Sequence, residues 1–347
     1  MDFSFIIPVY NCRETLSACV QSILHAHICD SEILLIDDGS TDGSGQLCDA
    51  LERRYSQIKV IHQANGGAAA ARNAGLSACT GSRILFADAD DTLDSAVLKT
   101  LLINDWHPNA DLTIFGMEFR FFHHGRHIKS ELSHYKSRGI LSADTWGANL
   151  VDLFHANALS SLCNKIYNRD LIEDHHLRLD PELRVYEDLD FCLRYMSFCN
   201  KIRIIPEPVY RYHLPADNRK VHHRLVGLDT IPGCLEPIEA SLSQLMEYKP
   251  DVSPRIGGQI LESLHLMLLQ QKMTGAGISG IRRMCSDYIE WEKRAVLFPS
   301  PSGFRSNVCS SAVYLLWLRH KVSACRHRMG TLCRWFFSFV PGGSDEY

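Results

Sequence analysis

No apolar run in these 347 residues approaches the ~20 that a membrane-spanning helix needs, so the sequence predicts no transmembrane segment. It contains no GxSxG elbow, no P-loop and no GxGxxG fingerprint, which removes the common hydrolase, NTPase and dinucleotide-binding signatures. Its 13 cysteines include no CxxC pair and no Cys/His metal spacing. Odd in number and scattered (Cys12, Cys19, Cys29, Cys48, Cys79 and onward), they read as reduced thiols in a cytosol-like compartment. A net charge of −4 argues against a general nucleic-acid binder. Repeats and low-complexity tracts are absent. No signal peptide precedes "FSFIIPVY", which points to a cytoplasmic protein.

What is present is ordinary in bulk and specific in order. Hydrophobic residues at 46% and charged residues at 22% suit a globular chain of one large domain with an appendage, or two medium domains. Short β-forming or continuously apolar runs occur at 3–10, 32–38, 58–63 and 83–88. Between them, 13–24, 43–55 and 66–79 have helical spacing, the last Ala-rich and opened by two glycines. This alternation predicts an α/β fold: a doubly wound, mostly parallel sheet with helices on both faces. Ligands of such sheets bind outside the carboxyl ends of the strands.

Those ends carry a consistent set of residues. Tyr10 and Asn11 follow the first strand, Asp37 and Asp38 end the second, and Asn65, Gly66 and Gly67 follow the third. The helix after them carries Arg72 and Asn73, and Asp88, Asp90 and Asp91 follow the fourth strand. Glycines at a helix N-terminus offer N–H groups to phosphate, and an arginine adds charge-assisted hydrogen bonds. Taken singly, Tyr10 is a rim aromatic and Gly66-Gly67 a plain turn; together on one rim they indicate a ligand.

The stretch "ILFADADDTL" (84–93) poses an electrostatic problem. Two unit charges about 5 Å apart at an effective dielectric of about 20 repel by roughly 3 kcal/mol. One resolution is a solvated turn with an aspartate capping the next helix. The other is a divalent cation. In extended chain Asp88 and Asp90 face one side, with Asp91 turned away or toward the next turn. Such oxygen ligands suit Mg2+ or Mn2+ holding substrate phosphates.

The segments "FSFIIPVYN" (3–11), "EILLIDDGSTD" (32–42), "NGGAAAARNAGL" (65–76) and "ILFADADD" (84–91) resemble, in this order, the family-two glycosyltransferases of the GT-A fold. "CNKIYNRDL" (163–171) and "VYEDLDFCLRY" (185–195) extend the resemblance, which is to enzymes of bacterial surface-polysaccharide type. It implies a GT-A domain over 1–215, with a nucleotide-binding half (1–95) and an acceptor half (96–215), followed by a helical region over 216–347. It further implies a nucleotide-diphospho-sugar donor, usually UDP-linked, and a Mg2+ or Mn2+ cofactor. The implied reaction is inverting transfer of a hexosyl or N-acetylhexosaminyl unit to a hydroxyl of a glycan or lipid-linked acceptor. Residue by residue, it implies Pro8 at the donor site, Tyr10 against the base, Asp38 on a uracil edge and Arg72 near the nucleotide or its phosphates. Asp88 faces the ribose or the metal, Asp90 binds the metal, and Asp91 shares that task.

The acids Glu187, Asp188 and Asp190 open a helical pattern, where the macrodipole keeps them ionised. They read either as a solvated first turn or as a general base within reach of an acceptor hydroxyl. The resemblance favours the second, with Asp188 as base and Glu187 in support. Lys165 reads as a donor or acceptor contact, or as a surface lysine before a turn. "PVYRYH" (208–213) reads as an edge strand whose Arg211 or His213 closes over the diphosphate, with His213 a candidate third metal ligand. Residues 121–139, rich in His, Lys and Arg, read as an exposed hairpin or loop, with acceptor binding as the second possibility.

Past about residue 220 the pattern turns helical, with an apolar run at 257–273. Residues 312–340 interleave Leu, Trp and Phe with Arg319, Lys321, Arg326, Arg328 and Arg334. They read as a packed terminal helix, or as an amphipathic helix on an anionic membrane surface, which would make the protein peripheral on the inner face of the plasma membrane. Two rivals stand beside the glycosyltransferase. A nucleotidyltransferase would need a glycine-rich loop where "PVYNCRET" stands, and a non-catalytic nucleotide-sugar-binding protein would lack Asp90 or Asp188.

Overall fold

A computed structural model of the chain describes residues 2–264, apart from 105–106, 134–137, 143–144, 146, 157, 184, 216–231, 250, 254–255, 259 and 262–263. The expected amphipathic segment 312–340 and the end of the apolar run 257–273 lie outside the described residues. Among the described residues, no helix is long and apolar enough to cross a membrane.

The alternating apolar runs form a parallel half-sheet. Strands β1 (Phe3–Val9), β2 (Ser31–Asp37), β3 (Ile58–His62) and β4 (Arg83–Phe86) lie side by side in the order β3-β2-β1-β4. Helices α1 (Leu16–Leu24), α2 (Ser44–Arg54) and α3 (Gly67–Ala78) make the crossovers. Every residue of β2 is buried, which is why its sequence runs apolar without alternation. α1 buries Leu16, Cys19, Val20 and Ile23, the stripe its spacing predicts. α3 lies close against β1: a Cβ on Gly75 would stand 2.3 Å from Ile6 Cγ2, so only glycine permits this approach.

The second half of the sheet is mixed. It comprises β5 (Thr92–Leu93), β6 (Leu112–His123), β7 (Arg126–Leu132), β8 (Gly139–Ser142), β9 (Lys165–Asn168) and β10 (Lys201–Pro215). The sheet continues from β4 as β9-β6-β10-β5, with β7 on β6 and β8 on β10. β9 is antiparallel to both β4 and β6, whereas β10 is parallel to β6. The expected edge strand at 208–213 is instead flanked on both sides, by β6 and by β5 at Tyr210 and Arg211. β6 and β7 form the expected hairpin, turning through His124 and Gly125, both at positive φ, and β7 is exposed along its length.

Helices fill the connections: α4 (Ser95–Lys99), α5 (Leu150–His155), α6 (Arg169–Asp174), α7 (Glu187–Met196) and α8 (Pro232–Tyr248). Asp94, rather than an aspartate of the 88–91 cluster, caps α4 by accepting from the Ala96 and Val97 N–H groups. α8 packs on α7, with Leu235, Ile238, Leu242 and Leu245 buried.

One acid in the parallel half is structural. Glu32, fully buried in β2, accepts from Ser4 Oγ (2.7 Å), Lys59 Nζ (2.7 Å) and the Thr80 N–H (2.6 Å). Burial opposes its charge, but these donors outweigh burial and bring the carboxyl down to about 2. Because the folded value lies below the unfolded one, its stabilisation is present at neutral pH and is lost as pH falls through the acid range toward 2. Glu32→Gln therefore lowers stability at pH 7 by about 2 kcal/mol and flattens the acid limb of the stability curve, as urea titrations across pH will register.

Candidate active site

The carboxyl ends of β1, β2, β3 and β4 form one rim, and the chain brings the expected residues to it. Tyr10, just beyond β1, is 53% exposed and presents its ring to solvent. Pro8 lies within β1 opposite Ile36, part-buried. Asn11 adopts a left-handed conformation (φ 48°), and its Oδ1 accepts from the Thr41 N–H at 2.8 Å, tying the end of β1 to the loop after β2. Asp37 accepts from the Ser40 N–H (3.1 Å) and lies 2.8 Å from His62 Nδ1. Burial works against its charge, yet these bonds hold it below the usual carboxylate range, while Asp37 and Asp49 pull the His62 imidazole up.

Asp38 is buried and already engaged. It accepts from Gln63 Nε2 (2.7 Å) and from the N–H groups of Gly66 and Gly67 (both 2.8 Å). The glycine N–H groups expected to await phosphate are therefore taken by this side chain. With three donors on a carboxylate that offers about four lone-pair sites, little capacity remains for a uracil edge. Asp38 shapes the turn into α3 as much as it could read a base.

Arg72 is the junction of the site. It projects from α3, is 4% exposed, and donates from Nη2 to Asp88 Oδ1 (2.8 Å) and from Nη1 to Asp188 Oδ1 (3.2 Å). Burial would pull the guanidinium down, but Asp188 and Asp88 overcome it and hold it well above its ordinary value. Its fork thus joins the acid end of β4 to the first turn of α7. α3 is pinned to the chain before α7 a second time, since Asn73 donates to the Leu179 carbonyl (2.8 Å) and accepts from its N–H (2.9 Å).

The three aspartates after β4 have separate fates. Asp88 is bonded to Arg72, and its N–H donates to the Tyr210 hydroxyl at 3.0 Å. Asp90 is part-buried at the lip. Asp91 is 1% exposed and accepts from Tyr210 Oη (2.8 Å) and the His213 N–H (2.7 Å), one donor on each oxygen. Burial, then Asp88 and Asp90, push Asp91 well above the carboxylate range. This corrects its expected share in metal binding: Asp91 is turned into the sheet and its oxygens are occupied. Among the described residues, no group of three or more His, Cys, Asp or Glu is arranged to hold a metal. Asp88 and Asp90 are both part-buried in the turn that follows β4.

Lys165 departs from its expectation, and Arg211 and His213 each have side-chain neighbours of their own. Lys165 does not reach a phosphate: it is fully buried, and its ammonium donates to the carbonyls of Ser161 and Leu159 and to Asn164 Oδ1 (2.8 Å). Burial pulls its pKa down. Arg211 does not lie over the rim unengaged, being paired with Asp94 and with Glu118 Oε2 (3.3 Å). His213 is half-buried, 3.3 Å from Thr92 Oγ1 and edge-on to Phe122. Burial, then Arg120, pulls its imidazole down. Tyr210, which bridges Asp88 and Asp91, was not singled out in the sequence; the only local signal is strand alternation in "PVYRYH", which turns it inward.

The second acid-bearing element is α7. It begins after Tyr186, which sits in the left-handed region (φ 63°) and provides no side-chain cap. Glu187 and Asp188 stand in its first turn with Asp190, and Asp188 faces Arg72. Asp190 faces away, 5% exposed, bonded to Arg194 and to Ser241 Oγ.

Removing the shared guanidinium leaves two carboxylates facing each other in a partly buried site. Arg72→Met will cost roughly 3 kcal/mol at pH 7 by denaturant titration. Lys165→Met, by contrast, will leave the affinity for UDP unchanged in calorimetry while lowering thermal stability, because the lysine serves the interior.

Residues 4–174 match the sequence profile of Glycosyl transferase family 2. The uncharacterized glycosyltransferase EpsJ of Bacillus subtilis is 29% identical over 209 residues, covering 60% of this chain and 60% of that protein. The poly(ribitol-phosphate) beta-glucosyltransferase of Bacillus spizizenii is 24% identical over 248 residues, covering 70% of this chain and 37% of that protein. The match thus spans under two thirds of either relative. Among solved structures, S. aureus TarS 1-349 in complex with UDP-GlcNAc superposes with a TM-score of 0.63 at 20% identity, covering 86% of this chain and 82% of the other, a likeness of fold. Through its residues 4–174, with the strand-end motifs set on one rim of a GT-A sheet, this chain belongs to glycosyl transferase family 2.

Proposed function

We propose that this protein transfers a sugar, with inversion, from a nucleotide-diphospho-sugar to a hydroxyl of a glycan or lipid-linked acceptor in surface-polysaccharide synthesis. The observation that carries the proposal is the Arg72 fork, which places the donor-side acid Asp88 and the acid of α7, Asp188, on one guanidinium. The TarS complex with UDP-GlcNAc supports UDP as the nucleotide. The Bacillus spizizenii relative supports a cell-surface polymer as the acceptor.

Each side chain has a task in this scheme. Tyr10, exposed at the end of β1, lies against the nucleobase, and Pro8 and Asp38 shape the floor beside it. Asp90 with Asp88 would hold Mg2+ or Mn2+. The fit rests on the chemistry of the donor set, two carboxylates in the turn at the end of β4, hard oxygen ligands of the kind a divalent cation takes together with substrate phosphates. Bound there, the cation would offset charge gathering on the departing diphosphate. Asp188 accepts the proton from the acceptor hydroxyl as its oxygen forms the bond to the anomeric carbon. The bond to the diphosphate oxygen breaks on the opposite face, so configuration inverts. Arg72 orients Asp188 through its Nη1 donor. Glu187, beside it in the first turn of α7, supports the base.

A thermal-shift panel of UDP-glucose, UDP-galactose, UDP-GlcNAc and UDP-GalNAc, each with and without Mn2+, tests the donor class. Stabilisation by at least one of them, enhanced by Mn2+, is expected; no shift with any contradicts a UDP-sugar donor. Asp188→Asn will retain the UDP shift and lose transfer by about 10²–10⁴-fold. Asp90→Ala will lose the Mn2+ enhancement while its unfolding midpoint without ligand stays near that of the native chain.

A further inference from the structure

The α7–α8 contact lies outside the family-matched segment, yet it reaches the helix that carries Asp188. On α7, Asp188 and Asp190 are two positions apart, about 200° around the helix. Asp188 therefore faces Arg72 and the rim, while Asp190 faces α8. Asp190 is 5% exposed and doubly held: Arg194 Nε donates to its Oδ2 at 3.0 Å, and Ser241 Oγ of α8 donates to its Oδ1 at 2.5 Å. Ser241 is itself 3% exposed, on a helix whose Leu235, Ile238, Leu242 and Leu245 are all buried. Arg194 also donates to the Arg178 carbonyl at 2.8 Å, tying the end of α7 to the chain just ahead of it.

The start of α7 makes this lateral grip matter. Its N-cap, Tyr186, is left-handed and supplies no capping side chain, so the orientation of the first turn is set from its sides. One side is the Arg72–Asp188 ion pair; the other is the Ser241–Asp190 hydrogen bond. We propose that Ser241 is a positioning residue for transfer: from α8 it fixes the rotation of α7 and thereby where the Asp188 carboxylate stands. α8, which follows the GT-A sheet, is then part of the working site through its hold on α7. The inference rests on Asp188 being the base, and the test separates the two.

The full chain and its Ser241→Ala, Ser241→Thr, Asp190→Asn and Asp188→Asn variants are assayed for UDP release from the four UDP-sugars above, with Mn2+ and with water as the hydroxyl that takes the sugar. UDP affinity and unfolding midpoint are measured alongside. Ser241→Ala is expected to lower kcat by about 10-fold, with donor KM and UDP affinity unchanged, because a misplaced base weakens chemistry without touching the nucleotide. Ser241→Thr, which keeps the hydroxyl, is expected to restore most of the rate. Wild-type kcat in Ser241→Ala, or a loss shared equally by kcat, donor KM and UDP affinity, overturns the positioning role. If Ser241→Ala does not fold, Asp190→Asn decides in the same way: lowered kcat at unchanged UDP affinity supports it and native kcat overturns it. Full UDP release by Asp188→Asn overturns the base assignment itself, and none from the native chain with any donor overturns the UDP-sugar reading on which the inference rests.

Discussion

A single buried guanidinium holds the two halves of the site together. Arg72 lies between Asp88, at the end of the parallel half-sheet, and Asp188, in the first turn of α7. Taking that charge out of water is costly, and two carboxylates are what make the burial tolerable. The planar fork matters as much as the charge: it reaches two acids on different elements at once, which a lysine ammonium on a flexible stem does less well. Glycine at position 75 permits the helix that carries Arg72 to press against Ile6, and Asn73 ties the same helix to Leu179. The orientation of the fork is therefore set by packing on both sides of it.

The same logic explains how three aspartates coexist after β4. They do not share one environment. Asp88 is neutralised by Arg72, Asp91 is drawn into the sheet under Tyr210 and the His213 N–H, and Asp90 is left at the lip. The protein thus divides a repulsive cluster into an acid paired with arginine, an interior acid whose charge is disfavoured by burial, and a part-buried acid that we propose holds the cation. In the proposed scheme a departing diphosphate would find its developing charge matched by a cation held there.

Local pattern made the parallel half legible and left the other half largely hidden. Continuous apolar runs and helical spacing mark β1 to β4 and α1 to α3 almost to their ends. β9, four residues inserted antiparallel between β4 and β6, has no signature of its own, because its place depends on strands far along the chain. The site divides the same way. Alternation assumed extended chain at 88–91, but these residues close a turn in which the Asp91 N–H donates to the Asp88 carbonyl, and Tyr210, the partner of Asp91, lies 119 positions later. The Arg72–Asp188 pair spans 116 positions. Lys165 misled because a long cationic side chain is seldom buried; here carbonyl oxygens and Asn164 satisfy it inside the fold.

The central claim is that the diphosphate of a sugar donor is held at the lip of the sheet with the Arg72-bound Asp188 facing the transferred carbon. A crystal structure of the complex with Mn2+ and UDP tests it most directly. The account predicts the metal on Asp90 and Asp88, the uracil against Tyr10, and Asp188 still on Arg72 across a sugar-sized gap from the β-phosphate. Nucleotide lodged elsewhere, or a metal bound away from these acids, would contradict it.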